Sequence, residues 1–141
     1  MSEKSEIVKI FEIAAREAGQ LIIEQFGKIS EAKVQSKDLG DFVTTTDLET
    51  ENILLKVLKQ HFPYSSYITE ESDPFKGNEE TIVIDPIDGT TNFIHGIPAV
   101  GIVIGRIYKT EITDGIIFNP ILDEFYFATK DKGSWCNENK L

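Results

Sequence analysis

The sequence predicts an α+β domain in which two long helices pack on a mostly antiparallel sheet. Three observations lead there. Apolar residues recur at helical spacing in two segments before Pro63, and the period shortens to two after it. The chain has 141 residues, 40% hydrophobic and 27% charged, enough to bury one real core. Helices that precede a run of strands make a two-layer α+β arrangement.

The first helix is carried by Ile7, Ile10, Phe11, Ala14, Ala18, Leu21, Ile22 and Phe26 and ends near Gly27. A polar stretch, "KISEAKVQSKDLGD", follows and is expected to hold a short strand or a loop. The segment "FVTTTDLETENILLKVLKQHFP" then passes from a β-branched run to a second helix, with Ile53, Leu54, Val57, Leu58 and Phe62 inward and Pro63 blocking its continuation. Asp47 stands at that joint, an apt N-cap for a helix starting at Leu48. "SSYITEES" and "TIVID" read as strands on either side of a loop containing Pro74 and Gly77. From Ala99 to Glu138 the chain reads as a meander of three or four antiparallel strands, with Phe118, Phe125, Tyr126 and Phe127 as packing residues of the sheet. Between Asp88 and Pro98, "GTTNFIHGIP" is too irregular for a strand and is expected to begin a short helix at its threonines.

Charge narrows the function. Twenty-four acids against 14 bases give a formal net charge of −10, and no Lys/Arg cluster offers a stripe for a phosphate backbone, which argues against direct nucleic-acid binding. An acidic protein that handles an anionic ligand needs a cation between them. The single cysteine, Cys136, has no partner for an internal disulfide and sits in no Cys/His cluster, which points to a reducing compartment and a plain packed thiol. The N-terminus lacks the apolar run of a signal peptide, and no stretch reaches membrane-spanning length, so a cytoplasmic protein without a membrane partner is expected.

The chemistry concentrates in "TIVIDPIDGTTNF". Mg2+ prefers hard oxygens in an octahedron and is usually held by a few carboxylates that it shares with a substrate phosphate. Asp85 at the end of a buried strand and Asp88 just beyond it would supply two of them, with Pro86 fixing one backbone angle and Gly89 allowing a tight turn. Of Glu70 and Glu71, which end the preceding strand, only one would point to the same edge, because side chains alternate. Other phosphate motifs fail by spacing: no G-x-x-x-x-G-K-[ST] string exists, an EF-hand loop needs donors at every second position, and the D-x-D of the haloacid-dehalogenase phosphatases has a gap of two where Asp85 and Asp88 have three. His95 and His61 read as loop and helix-end hydrogen-bonders.

"DPIDGTTNFIHG", Asp85 to Gly96, resembles the signature of the inositol monophosphatase family, the magnesium-dependent, lithium-sensitive sugar-phosphate phosphatases. "DFVTTTD" ending at Asp47, "TEES" from Thr69 and "KDKGSWCNENK" near the end fall in the family's order and spacing, so the resemblance covers nearly all of the chain. It implies that residues 1–141 form the N-terminal lobe of a layered sugar-phosphatase fold. The second lobe of that family carries W-D-x-A-A-G; no such string occurs here, where the one tryptophan is Trp135.

Carried over by motif, the resemblance makes Glu70, Asp85 and the carbonyl of Ile87 ligands of a first Mg2+, with Asp85 and Asp88 on a second. Gly89 and Thr90 would bind the substrate phosphate through backbone N–H groups. Thr90, oriented by Asp47, and Glu70 would hold the attacking water in line. The implied activity is hydrolysis of inositol monophosphate or a similar small sugar phosphate, impaired if the second lobe is missing, with self-association or a homodimer expected from surface left uncovered. Fructose bisphosphate, a nucleotide 3′-phosphate, histidinol phosphate and NADP are alternative substrates. A non-catalytic protein-interaction remnant is the alternative from another class.

Overall fold

A computed structural model of the chain describes residues 3–28, 36–69 and 79–141, with side chains in the second stretch from Thr45 onward. The elements run α1 (Glu6–Gln25), α2 (Ser36–His61), β1 (Ser66–Thr69), β2 (Glu80–Asp88), α3 (Thr90–Ile94), β3 (Gly101–Tyr108), β4 (Glu111–Asn119), β5 (Glu124–Thr129), β6 (Gly133–Cys136) and β7 (Asn139–Lys140). The seven strands form one sheet in chain order. Among the described strands only the β1–β2 pair is parallel, and the other neighbours are antiparallel. This is the expected α+β layer, with a meander that extends to β7.

Helix α1 begins where Ser5 caps it, its hydroxyl oxygen accepting from the Val8 N–H at 3.1 Å. The same hydroxyl donates to Asp114 Oδ1 at 2.8 Å, and Thr129 donates to that oxygen at 3.0 Å, so one cap also fastens the helix to β4 and β5. The buried face of α1 is Val8, Phe11, Ala14, Ala15, Ala18, Gly19 and Ile22. Its small residues bring the helix close to the sheet: a Cβ on Gly19 would stand 2.9 Å from the Phe118 ring. The helix stops at Phe26, and Gly27 takes the left-handed conformation at φ 75°.

Helix α2 departs from the sequence expectation. It begins at Ser36 instead of Leu48, and so takes in the "FVTTT" run and the later part of the polar stretch. Asp47 therefore lies inside the helix and is not its N-cap. Each β-branched residue costs a helix only ~0.5 kcal/mol, which neighbouring turns can offset. Thr50 also settles its hydroxyl within the helix by donating to the Thr46 carbonyl at 2.7 Å. The expected short strand or loop between the helices falls in residues 29–35, outside the described residues, as does the loop with Pro74 and Gly77.

Alternation along the strands divides the sheet into two unlike faces. Ile82, Ile84, Ile102, Ile104, Ile116, Phe118, Phe125 and Phe127 point to one side and join α1 and the Leu54–Phe62 stripe of α2 in a single core. Phe11 meets Phe62 edge-on at 6.0 Å between ring centres. The intervening residues Val83, Val103, Gly105, Gly115, Ile117, Tyr126 and Ala128 face the other way and stay half-buried or exposed. No described helix packs on that face. Tyr126 thus belongs to the outer face, unlike its three phenylalanine neighbours in the expected packing set.

Candidate metal and phosphate site

Five of the expected site residues, Asp85, Ile87, Asp88, Gly89 and Thr90, follow one another where β2 ends. Two aspartates three residues apart on a regular strand would point to opposite faces, since the side-chain period is two. Here the ladder between β2 and β3 slips: Asp85 pairs with Val103, but Asp88 pairs with Gly101, so three steps on β2 match two on β3. The extra residue forms a bulge. Pro86, with no N–H to give, falls inside it, and Pro86 and Ile87 are both buried in succession, breaking the alternation. Val103 and Gly101 share a face of β3, and so the bulge brings Asp85 and Asp88 to the same outer face.

Behind the aspartates the chain turns through Gly89 at φ 87° into α3, which has no side-chain cap at its start. A Cβ on Gly89 would lie 2.6 Å from the Ala99 carbonyl oxygen, so both the angle and the space require glycine. That carbonyl is itself held, accepting from the Asn92 side-chain amide at 2.9 Å, while Asn119 donates to the adjacent Pro98 carbonyl at 2.8 Å. These two asparagines, which sequence reasoning passed over, clamp the return loop against the turn. Asn92 lay within the quoted motif; Asn119 carried no local signal, because its partner is 21 residues away.

Thr90 donates to the Ile87 carbonyl at a long 3.4 Å. Asp85 is half-buried with its Oδ1 shielded from solvent, and Asp88 is exposed. Asp47 also shields one carboxylate oxygen, on a helix that touches α3. Glu70 lies outside the described residues. The chain leaves β1 at Thr69, opposite Ile84, one residue short of both Glu70 and Asp85. Among the described residues no group of three carboxylate, imidazole or thiol side chains forms a metal-holding cluster. What the turn gathers is the pair Asp85 and Asp88, the Ile87 carbonyl and the backbone of Gly89 and Thr90. All of these are hard oxygens or N–H donors, a set that fits Mg2+ with phosphate and not a soft metal. His61 Nδ1 lies 3.2 Å from the Val57 carbonyl, and His95 is the residue at which α3 closes. Cys136 is free and partly buried on β6.

The sequence model of the inositol monophosphatase family matches residues 3–141. Inositol monophosphatase 3 of Solanum lycopersicum is 40% identical over 129 residues, which are 88% of this chain and 47% of the tomato protein. A protein of Neisseria meningitidis serogroup A named putative Nus factor SuhB is 35% identical over 130 residues, 91% of this chain and 50% of its own length. Among solved structures, the extragenic suppressor protein suhB of Bartonella henselae superposes with a TM-score of 0.84 at 30% identity, covering 96% of this chain and 53% of the other. The fold is thus the α+β layer that the suhB protein shares. The chain belongs to the inositol monophosphatase family. It spans about half the length of the curated relatives it matches.

Proposed function

We propose that the chain supplies the metal-binding turn and the phosphate cradle of a magnesium-dependent phosphomonoesterase, acting on inositol monophosphate or a similar small sugar phosphate. The observation that carries this reading is the bulge that sets Asp85 and Asp88 on one face beside the Gly89 turn. In it, Asp85, the Ile87 carbonyl and Glu70 would hold a first Mg2+, and Asp85 with Asp88 would hold a second. The ions supply a lowered pKa for the attacking water and charge to offset that of the phosphate. The chain's own residues do the positioning. Gly89 and Thr90 present backbone N–H groups to the phosphate, the Asn92 clamp fixes their direction, and the Thr90 hydroxyl, oriented by Asp47, leaves Ile87 to orient the water. Residues 1–141 act as the N-terminal lobe, and with the cradle open on one side the chain alone turns over slowly.

Calorimetric titration with Mg2+ and Mn2+ tests the turn. The wild type is expected to bind weakly and Asp85→Asn to lose the isotherm; equal binding by the two would end this assignment. A phosphate-release assay on inositol monophosphate, with Thr90→Ala as control, tests the chemistry. A relative named putative Nus factor favours a second reading, in which the lobe serves protein binding. Metal binding without any phosphate release would move the balance to it.

A further inference from the structure

Pro98 and Ala99 carry consecutive carbonyl groups on the return loop that leads from α3 into β3, and different elements hold them. Asn92 of α3 donates to Ala99 at 2.9 Å, and Asn119, the last residue of β4, donates to Pro98 at 2.8 Å. The loop needs such ties. Ile97, Pro98 and Ala99 are all exposed, so burial does not anchor them, and the bond from the Ile97 N–H to the Asn92 carbonyl, at 2.8 Å, leads again to α3. Asn119 ties the loop to the body of the sheet.

The direction of the Asn119 amide is fixed by its other end. Its oxygen accepts from the Ile121 N–H at 3.0 Å and from the Leu122 N–H at 3.1 Å, which leaves the nitrogen for Pro98. Reversed, the nitrogen would face two N–H donors. The β4–β5 turn that holds the oxygen is itself fastened to α1: Arg16 bonds Asp123 at 2.9 Å, and a Cβ on Gly19 would stand 3.1 Å from Pro120. A line of contact therefore runs from α1 through this turn and Asn119 to Pro98. Its last link is the next carbonyl, that of Ala99, against which Gly89 stands so closely that a Cβ there would lie 2.6 Å from the oxygen.

We propose that Asn119 is a positioning residue for the phosphate contact of the Gly89 turn, which it serves by holding the return loop against that turn. The inference rests on the reading of Gly89 and Thr90 as phosphate-binding backbone. It assigns Asn119 no part in holding metal. Asp85 and Asp88 take their common direction from the bulge in the β2–β3 ladder, which Asn119 of β4 does not enter. Loosening the loop therefore lets the Gly89 N–H turn away while both carboxylates keep their direction.

The test titrates the isotope-labelled 141-residue chain first with Mg2+ and then with inorganic phosphate, following the Gly89 and Thr90 amide resonances by NMR. Asn119→Asp keeps the oxygen that caps the β4–β5 turn and adds a charge; Asn119→Ala adds no charge and frees the turn. Both lack the donor to Pro98. Each should need roughly five times more phosphate than the wild type, the fold-change that one net hydrogen bond is worth, at an unchanged Mg2+ midpoint. Ser5→Ala, which removes the cap at the start of α1, should melt lower yet bind both as the wild type does. Unchanged phosphate affinity in the two Asn119 variants, an Mg2+ midpoint that weakens as much as phosphate does, or an equal phosphate loss in Ser5→Ala would each overturn the proposal and leave the reading of the turn standing. A wild type whose Gly89 and Thr90 amides do not answer phosphate would end both.

Discussion

Replacing Gly89 and Gly27 by alanine separates two costs that the site combines. Both glycines hold left-handed backbone, at φ 87° and 75°, so each substitution incurs the conformational penalty of an L-residue, about 1–2 kcal/mol. Around Gly27 a new Cβ would meet nothing within 4 Å, and that penalty should be the whole effect. At Gly89 the same Cβ would lie 2.6 Å from the Ala99 oxygen, which the Asn92 amide holds in place at 2.9 Å. Relief requires the turn or the return loop to move, a further ~1–3 kcal/mol by analogy with overpacked cores. In a domain of this size about 1 kcal/mol corresponds to roughly 4 °C. Thermal melts followed by circular dichroism should then show Gly27→Ala lower by roughly 4–8 °C and Gly89→Ala by roughly twice that or more. Adding Asn92→Ala to Gly89→Ala should recover part of the difference, because the carbonyl is then free to yield. Equal losses for the two glycines would show that the Ala99 contact does not constrain the turn.

Gly19→Ala sets a helix-propensity gain of ~1 kcal/mol against contacts at 2.9 Å to Phe118 and 3.1 Å to Pro120, and overpacking of ~1–3 kcal/mol should prevail in urea denaturation. Glu12 is pushed up by burial, but Lys4 and Arg16, through ion pairs of 2.8 and 2.9 Å, hold it below its ordinary value of 4.5. Its lowered folded-state pKa gives stability above 4.5 that fades as pH falls through the folded value, so Glu12→Gln should flatten the acid limb of the melting curve. Tyr67 is raised to about 12 by burial and then by Glu80, and its hydroxyl donates to the Phe62 carbonyl at 2.8 Å. The stability it lends is full below pH 10 and is lost as pH rises through about 12; Tyr67→Phe should lose ~1 kcal/mol at neutral pH and show a shallower alkaline limb.

Local period made much of the fold legible. Helix α1, the C-terminal part of α2 and the strands after Pro63 lie where spacing puts them, because each buries a stripe that its own residues define, whereas the short helix at Thr90 was legible from the irregularity of its segment. The start of α2 was not legible. A β-branched run with Asp47 behind it has the local look of a strand and a cap, and only the completed helix decides otherwise. Chemical type pointed to Asp85 and Asp88 as oxygen donors, but their common direction did not follow from it. That depends on a register set with β3, whose residues come 13 or more positions later, and register is a property of the pair and not of either strand.

The bulge also resolves why a spacing of three serves where a strand's geometry asks for two. A regular strand with its two carboxylates on alternate residues would align them but leave both in the ladder, with flat backbone on either side. Inserting one residue, with proline in it, keeps the alignment and interrupts the pairing, which resumes at Asp88 just before the turn at Gly89. The aspartates then stand at the end of the outer face while Ile87 is buried beneath them, 2% exposed, and anchors the turn in the core. Rigidity comes from the inner face, where α1 and α2 join the sheet in one core. A turn built at that edge is anchored through Ile87 on one side and leaves the exposed Asp88 on the other.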